Sequence, residues 1–417
     1  MPRLFSVTAA MFLSLLGPAL CAADAGAADL DVLYSASNLI NPVQRAFKQR
    51  FESTHAGARV SLEPTLEYND TLAIALRQSL IGAGHDVGYY GVSDLCLLAE
   101  RGIAKPIDAL IESDPQWRTL GIPEKRLGVT RCNGATYGIP FSASFMVVLF
   151  NKTLVAQAGG DPARFPRTWP DILDLARKIK ARSGGIAMNY EGSSSWSFMT
   201  LVLSRGGSIL SADGKDIAFD SKEGLEALQI LAGAGAARDH ADLTKSQARQ
   251  AFVSGALGIL VDSSSGIAEY KKNINGVFEM GIVPYPVAPT GGIPASGMAS
   301  VLQASSPEKQ KLAWDYMKDS ASPDGQTVLG KMTGFLPFNE IAIQAPDKLG
   351  DYYAQNPEIR VAAESLDNAV AWPSFPGPNG LKIHQIIMGY MQKVYNGAMA
   401  PDAALAGMAR DTRALLR

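Results

Sequence analysis

Residues 137–179 read Y-G-I-P-F-S-A-S-F-M-V-V-L-F-N-K-T-L-V-A-Q-A-G-G-D-P-A-R-F-P-R-T-W-P-D-I-L-D-L-A-R-K-I. Phe145 to Phe150 is an unbroken apolar run of strand length, rich in Val and Phe, as expected of a strand covered on both faces. It follows a bend marked by Gly138-Ile139-Pro140. A short helical pattern, Thr153 to Ala158, then closes at Gly159-Gly160, where a left-handed cap needs no Cβ. Thr168 is the expected N-cap of a second helix. Asp171 lies near the positive end of its dipole, and Ile172, Leu175, Ala176 and Ile179 repeat on one face.

The same grammar extends in both directions. Asp31 to Tyr34 reads as a strand and Asn41-Pro42 as a helix start, with Val43, Ala46, Phe47 and Phe51 as the buried stripe. Arg59 to Leu62 is a second strand and Asp70 to Gly82 a second helix. Beyond the opening stretch, Gly185 to Asn189 and Ala256 to Val261 read as strands. Helices are expected near Ser195 to Ser204, at Ser221 to Ala234 with Asp220 as cap, and at Pro307 to Lys318 and Leu381 to Tyr395, where Met388 and Met391 read as packing. Strand–loop–helix alternation of this kind builds α/β sheets with ligand loops at the carboxyl ends of the strands. A chain of 417 residues exceeds one ordinary core and divides into two lobes. Pro and Gly clusters at Pro284 to Pro294 and at Thr333 to Asn339 suggest further crossings. The expected division is 30–139 with 292–336 for the first lobe and 140–290 with 338–417 for the second.

Composition removes several classes of function. A net charge of −2 with mixed signs along the chain leaves no concentrated basic face for nucleic acid. No segment reads as a basic membrane-surface helix. The N-terminus has the form of a targeting segment: Arg3, an apolar stretch from Ala9 to Leu16 too short to span a bilayer, and small residues from Ala19 to Ala28. Residues 1–28 are therefore read as a signal peptide cut between Cys21 and Ala28. Cys21 invites a lipoprotein reading, but Leu20 stands where that signal wants a small residue, so soluble export is expected. The mature chain keeps Cys96 and Cys132, which either form a disulfide in an oxidising compartment or serve as two small buried apolar residues.

No catalytic pattern is present. There is no G-x-S-x-G elbow, Walker loop or H-E-x-x-H stretch. His55, His85, His240 and His384 are scattered without metal-ligand spacing, and Asp171 and Asp174 share a solvated helix face. No cofactor or metal is expected. Hydroxyls and aromatics concentrate instead. Ser263-Ser264-Ser265-Gly266 stands between a buried strand and an expected helix start, a setting that offers donors to a phosphate or polyol oxygen. Ser264 is the preferred contact, with helix capping the rival role for one of the serines.

Four segments in order resemble the extracellular solute-binding proteins of ABC importers, in particular the sn-glycerol-3-phosphate-binding branch of the maltose-binding-like family. They are P-F-S-A-S at 140–144, the run ending in Phe150-Asn151-Lys152, the A-G-G-D-P turn with the T-W-P-D-I helix, and Thr333-Gly334-Phe335-Leu336-Pro337. The serine-rich turn also matches. The resemblance implies a two-lobe type II binding-protein fold with discontinuous lobes and a ligand cleft at the hinge. It further implies a periplasmic, monomeric protein that captures a small-molecule solute and hands it to permease and ATPase subunits. A ligand-sensing module of the same fold, or an exported hydrolase, is the alternative.

Carried over by position, the implied ligand contacts are Tyr68, Ser144, Ser264, Gly297 and Phe335. Ser144 has hinge hydroxyl as its rival role, and Gly297 a bare turn. Trp196, in the loop Tyr190 to Trp196, is a large ring in polar surroundings and is expected to wall the cleft; Trp372 is a further candidate. Aromatic rings lie flat on the C–H faces of sugars and glycerol. Three positions depart from the branch pattern. Gly91 stands where relatives carry a glutamate, Phe335 replaces a tyrosine, and the arginine expected in Phe375 to Leu381 is missing. Asn379 or Lys382 replaces its planar fork only in part. One lost charge-assisted contact is worth roughly 1.5–3 kcal/mol. The glycine at 91 is expected to open space, so a glycerophosphodiester, glycoside or oligosaccharide becomes as plausible as glycerol-3-phosphate.

Overall fold

The computed structural model describes residues 28–188, 195–239, 243–377 and 379–416. Residues 1–27, on which the expected signal segment and Cys21 fall, the loop 189–194 and His240 lie outside the described residues. The strands that position the cleft are β1 (Ala28–Tyr34), β2 (Ala58–Pro64), β3 (Val87–Gly91), β4 (Ile139–Ser144), β5 (Met146–Asn151), β6 (Ile186–Met188), β7 (Ile259–Ser263), β8 (Met280–Pro284) and β9 (Ser296–Leu302).

They form two sheets. The first has the order β2-β1-β3-β9-β4, with β1 parallel to β2 and β3, and β9 antiparallel to both β3 and β4. The second has the order β8-β5-β7-β6, with β5 antiparallel to its two neighbours and β6 parallel to β7. β5 is the apolar run of the opening stretch. Every one of its residues is buried, as the central place between β8 and β7 requires. β4 was expected to open the second lobe, yet its pairing with β9 makes it the edge of the first sheet. The chain therefore leaves the first sheet at Phe145, one residue before β5, and not at 139/140.

Helix boundaries follow local chemistry. Asn151 caps the helix Lys152–Gln157 by accepting the Leu154 amide at 3.1 Å, and Gly159 takes the left-handed conformation that follows it. Thr168 stands at the N-cap of Trp169–Lys180, but its hydroxyl donates to Asp171 instead of receiving a backbone N–H. The four apolar residues expected on that helix's inner face are all buried. Two starts differ from expectation. The first helix begins at Ser37, with Pro42 inside it, because Ala36 adopts a left-handed conformation that turns the chain five residues early. Ser221, not Asp220, caps Lys222–Ala236 by accepting the Gly224 amide.

Two main cores lie against the sheets. Around the first, Phe47, Tyr89 and Phe141 meet edge to face. The helices Pro307–Ala321 and Pro323–Met332 pack on Ser37–Thr54 beside it, and Glu340–Gln344 follows them. The chain meets the second sheet again where Pro357–Ala363 packs on β8, later than the crossing expected at 337. Helices Gly380–Tyr395 and Pro401–Leu416 cover Lys222–Ala236. Among the described residues no helix is long and apolar enough to cross a membrane.

Cys96 and Cys132 are joined in a disulfide, with Cα atoms 5.4 Å apart. It ties the helix Leu95–Glu100, which follows β3, to the short hairpin at Arg131–Thr136. A bridge closing a 36-residue separation removes loop entropy worth about 3–4 kcal/mol from the unfolded chain. Replacing both cysteines by alanine is expected to lower stability by that order, read from thermal melting with and without reductant. A reductant-insensitive wild type would contradict the bridge.

Candidate functional site

The carboxyl ends of β1, β3, β4 and β7 converge with the amino ends of β5 and β9 on one cleft, of about 390 Å³. Strand direction explains this convergence. β4 runs toward the seam and β5 runs away from it, with Phe145 between them. Seven of the expected residues line the cleft: Tyr68, Gly91, Ser144, Trp196, Gly297, Phe335 and Trp372.

Two expected residues lie elsewhere. Ser264 is buried, its Oγ accepts the Phe145 amide at 3.1 Å, and its own N–H donates to the Phe145 carbonyl at 2.8 Å. It fastens the crossing residue. Its neighbours Ser263 and Ser265 face the cleft, their hydroxyls 2.9 Å apart. Asn379 precedes the helix Gly380–Tyr395 and donates to the Leu415 carbonyl at 2.9 Å. Lys382 is exposed and is not part of the cleft wall, so neither residue stands in for the missing arginine there.

Gly91 does not open space. A Cβ at this position would come within 3.2 Å of Ser93 Oγ and Tyr68 Cδ1 and 3.3 Å of Asp94 Oδ2. The room is already filled, and a carboxylate fills part of it. Asp94 lines the cleft three residues beyond the expected acid. Its Oδ1 accepts the Ser93 hydroxyl at 3.3 Å, while its Oδ2 is buried with no hydrogen-bond partner. Burial pushes this carboxyl up to about 7, against the downward pull of Ser93. The sequence signal was available: an acid in Gly91-Val92-Ser93-Asp94, directly after a strand and before a helix.

The opposite wall carries Lys245 and Arg249 from the helix Lys245–Val253, also missed by sequence reasoning. Arg249 forks onto Asp262, with Nε donating to Oδ2 at 2.7 Å and Nη2 to Oδ1 at 3.3 Å. Burial opposes ionisation of Asp262, yet the guanidinium, helped by the Tyr270 hydroxyl, holds its carboxyl below the usual range.

Aromatic rings complete the lining. The Trp196 and Trp372 rings lie 6.2 Å apart at a 42° tilt. The Trp196 indole N–H donates to the Pro294 carbonyl at 3.4 Å, whereas that of Trp372 is buried without an acceptor. Ser374 donates to the Ser93 carbonyl at 2.9 Å, which joins the Trp372 loop to the Asp94 turn. Gly297 has φ +134°, and a Cβ there would lie 2.0 Å from the Ser142 carbonyl oxygen. The position admits only glycine. Among the described residues no group of three or more His, Cys, Asp or Glu forms a metal site.

A two-sheet molecule with an aromatic, hydroxyl-rich cleft at the crossing strands defines a class, and the comparisons agree with it. Residues 46–361 match the family described as bacterial extracellular solute-binding protein, and the chain belongs to that family. Its members are substrate-binding components of ABC importers, not enzymes. A putative binding protein of Brucella abortus (strain 2308) is 26% identical over 95% of this chain and 94% of its own length. The sn-glycerol-3-phosphate-binding periplasmic protein UgpB of Pectobacterium atrosepticum is 24% identical over 96% and 94%. The sugar-binding protein MalE of Xanthomonas citri superposes with a TM-score of 0.81 at 17% identity, over 93% of this chain and 97% of that one. This likeness identifies the maltose-binding type of two-lobe α/β fold.

Asp94 has a readable signature in stability. The folded chain keeps a proton on Asp94 that the unfolded chain releases, so this residue's contribution to stability falls as pH rises from about 4 to about 7. His384 acts oppositely: burial lowers it to about 4, so the folded chain refuses a proton that the unfolded chain takes up, and stability rises with pH up to about 6.5. The comparison with Asp94→Asn isolates the first effect. The variant's melting temperature is expected to gain on wild type between pH 4 and 7 and to run parallel above. A pH-independent difference would refute the shift. Separately, Gly297→Ala is expected to cost about 3 kcal/mol or more, from strain plus overlap, measured by denaturant unfolding.

Proposed function

We propose that this protein is the periplasmic receptor of an ABC importer, and that it closes its two lobes on a polyol-type solute: a carbohydrate, or glycerol joined to phosphate as an ester or diester. The observation that carries this reading is the makeup of the cleft. Tyr68, Phe335 and Gly297 line one wall and Trp196, Ser263 and Ser265 the other, with Ser144 at the crossing. Rings on both walls suit the C–H faces of a polyol, and the hydroxyls and the Gly297 amide suit its oxygens. A solute touched by both walls stabilises the closed arrangement, because those contacts exist together only there.

Among phosphates, the diester is favoured over the monoester. Arg249 already spends its fork on Asp262, and Asp94 is a carboxylate facing the same space. A dianion would meet an acid without a guanidinium of its own. Neutral glycosides avoid that cost altogether.

The test is thermal melting of the mature protein against glycerol-3-phosphate, glycerophosphodiesters, disaccharides and polyols. A ligand at a thousand times its Kd is expected to add about 4 kcal/mol, or on the order of ten degrees. Trp196→Ala is expected to weaken the best ligand about tenfold or more, the scale of one stacked ring plus its lost burial. Small-angle scattering is expected to show compaction on saturation. Unchanged dimensions with bound solute would count against lobe closure.

A further inference from the structure

The charged groups of the cleft divide between its walls, with Glu67 and Asp94 on one and Lys245 and Arg249 on the other. Arg249 is met by Asp262 behind its wall. Asp94 is not met: its Oδ2 is buried with no hydrogen-bond partner, and its Oδ1 has only the Ser93 hydroxyl. Aromatic side chains line the same cleft. The Tyr68 ring edge and Asp94 Oδ2 come together over Gly91, both within 3.3 Å of where a Cβ would stand. Ser374 binds Ser93 and so holds the Trp372 loop beside the same turn, and Trp372 in turn faces Trp196.

A buried carboxylate oxygen without a partner is costly, and a cation removes that cost. Aromatic faces attract cations as well, most strongly when water is excluded. We infer that this end of the cleft is a cation subsite: the solute carries an ammonium or quaternary ammonium group that sits between the Asp94 carboxylate and the rings of Tyr68, Trp196 and Trp372. This deepens the proposed function and rests on the cleft being the solute site. The shared chemistry has two sources, an amino sugar or a glycerophosphodiester with a cationic head.

The subsite also fixes a pH response. A cation favours the ionised carboxylate, so affinity for a cationic solute rises as pH passes upward through about 7. The other charged groups facing this space are Glu67 on the same wall and Lys245 and Arg249 on the helix opposite. The late loop brings Trp372 and Ser374, which do not titrate. His384, packed on Phe375 and bonded to Ser195, is held neutral by burial across this range.

Isothermal titration calorimetry on matched pairs tests the inference: glycerophosphocholine against glycerophosphoglycerol, and the N,N,N-trimethylated glucosamine disaccharide, whose charge does not titrate, against cellobiose, at pH 6 and 8. The cationic member of one pair is expected to bind about tenfold more tightly at pH 8 than its neutral-headed counterpart, with the preference shrinking at pH 6. The responding pair identifies the source of the cation. Asp94→Asn, verified as folded by its melting curve, is expected to abolish the preference whatever happens to absolute affinity. Equal or better binding of the neutral-headed members overturns the cation subsite and leaves the polyol reading standing. A preference that survives in Asp94→Asn also overturns it. No binding by any of the four overturns both readings.

Discussion

The structure turns on one residue, Phe145, and the two hydrogen bonds that hold it. Between the last residue of β4 and the first of β5 there is nothing else, so the two sheets meet at a point and not through a flexible linker. Ser264 grips that point from both sides, accepting its amide and donating to its carbonyl. A second tie lies alongside, where Ala143 and Leu336 exchange backbone hydrogen bonds. Buried backbone groups must be paired, and here the pairing partners come from the serine turn and the Thr333–Leu336 segment. The cleft follows from this. With β4 arriving and β5 departing at the seam, the carboxyl ends of the parallel strands on both sides open onto one space, the usual place for ligands in open α/β sheets.

Much of the fold was legible because the buried strand and the helix caps are local signals. Phe145 to Phe150 reads as a strand without any tertiary information, and all but its first residue belong to β5, while Gly159 closes the helix after it for a local reason. What was not legible is orientation. Three serines in a row present the same chemistry in the sequence, and only the turn decides that Ser264 points inward while Ser263 and Ser265 point to the cleft. The acid at the site was displaced for a similar reason. Alignment by position finds Gly91, whereas Asp94, one turn later, reaches the same space over the bare glycine backbone. Lys245 and Arg249 come from a helix far along the chain, and no spacing rule links them to Tyr68 or Trp196.

The two buried carboxylates near the cleft show how the same side chain is used for opposite ends. Asp262 has a guanidinium fork, a tyrosine hydroxyl and the Ser263 amide, and it stays ionised in a fully buried place because those donors replace water. It holds the second wall together. Asp94 has one hydroxyl and an unpartnered oxygen, which is a poor way to build a core and a good way to build a site. Local rules broken without structural gain tend to mark function. The disulfide at Cys96, two residues beyond Asp94, fits this view, since it anchors the helix that follows an otherwise costly turn.

Recognition and lobe geometry are coupled through Trp196. Its ring lines the second wall, but its indole N–H is bonded to Pro294, in the segment that returns the chain toward β9 of the first sheet. Under the lobe closure proposed above, that bond would couple the setting of the ring to rotation of one lobe against the other. Trp372 adds a second link, because its loop is tied through Ser374 to the Ser93–Asp94 turn of the first wall while its ring faces Trp196. Under the proposed closure, a solute stacked on these rings would meet an aromatic pair held from both walls. Such a solute has different free energies in the open and closed forms, which is the condition for it to shift their balance. Selectivity would then have a geometric source in addition to direct contacts: under the proposed closure, a solute too large for the space between the two walls would lose the closure energy even when each ring alone accepts it.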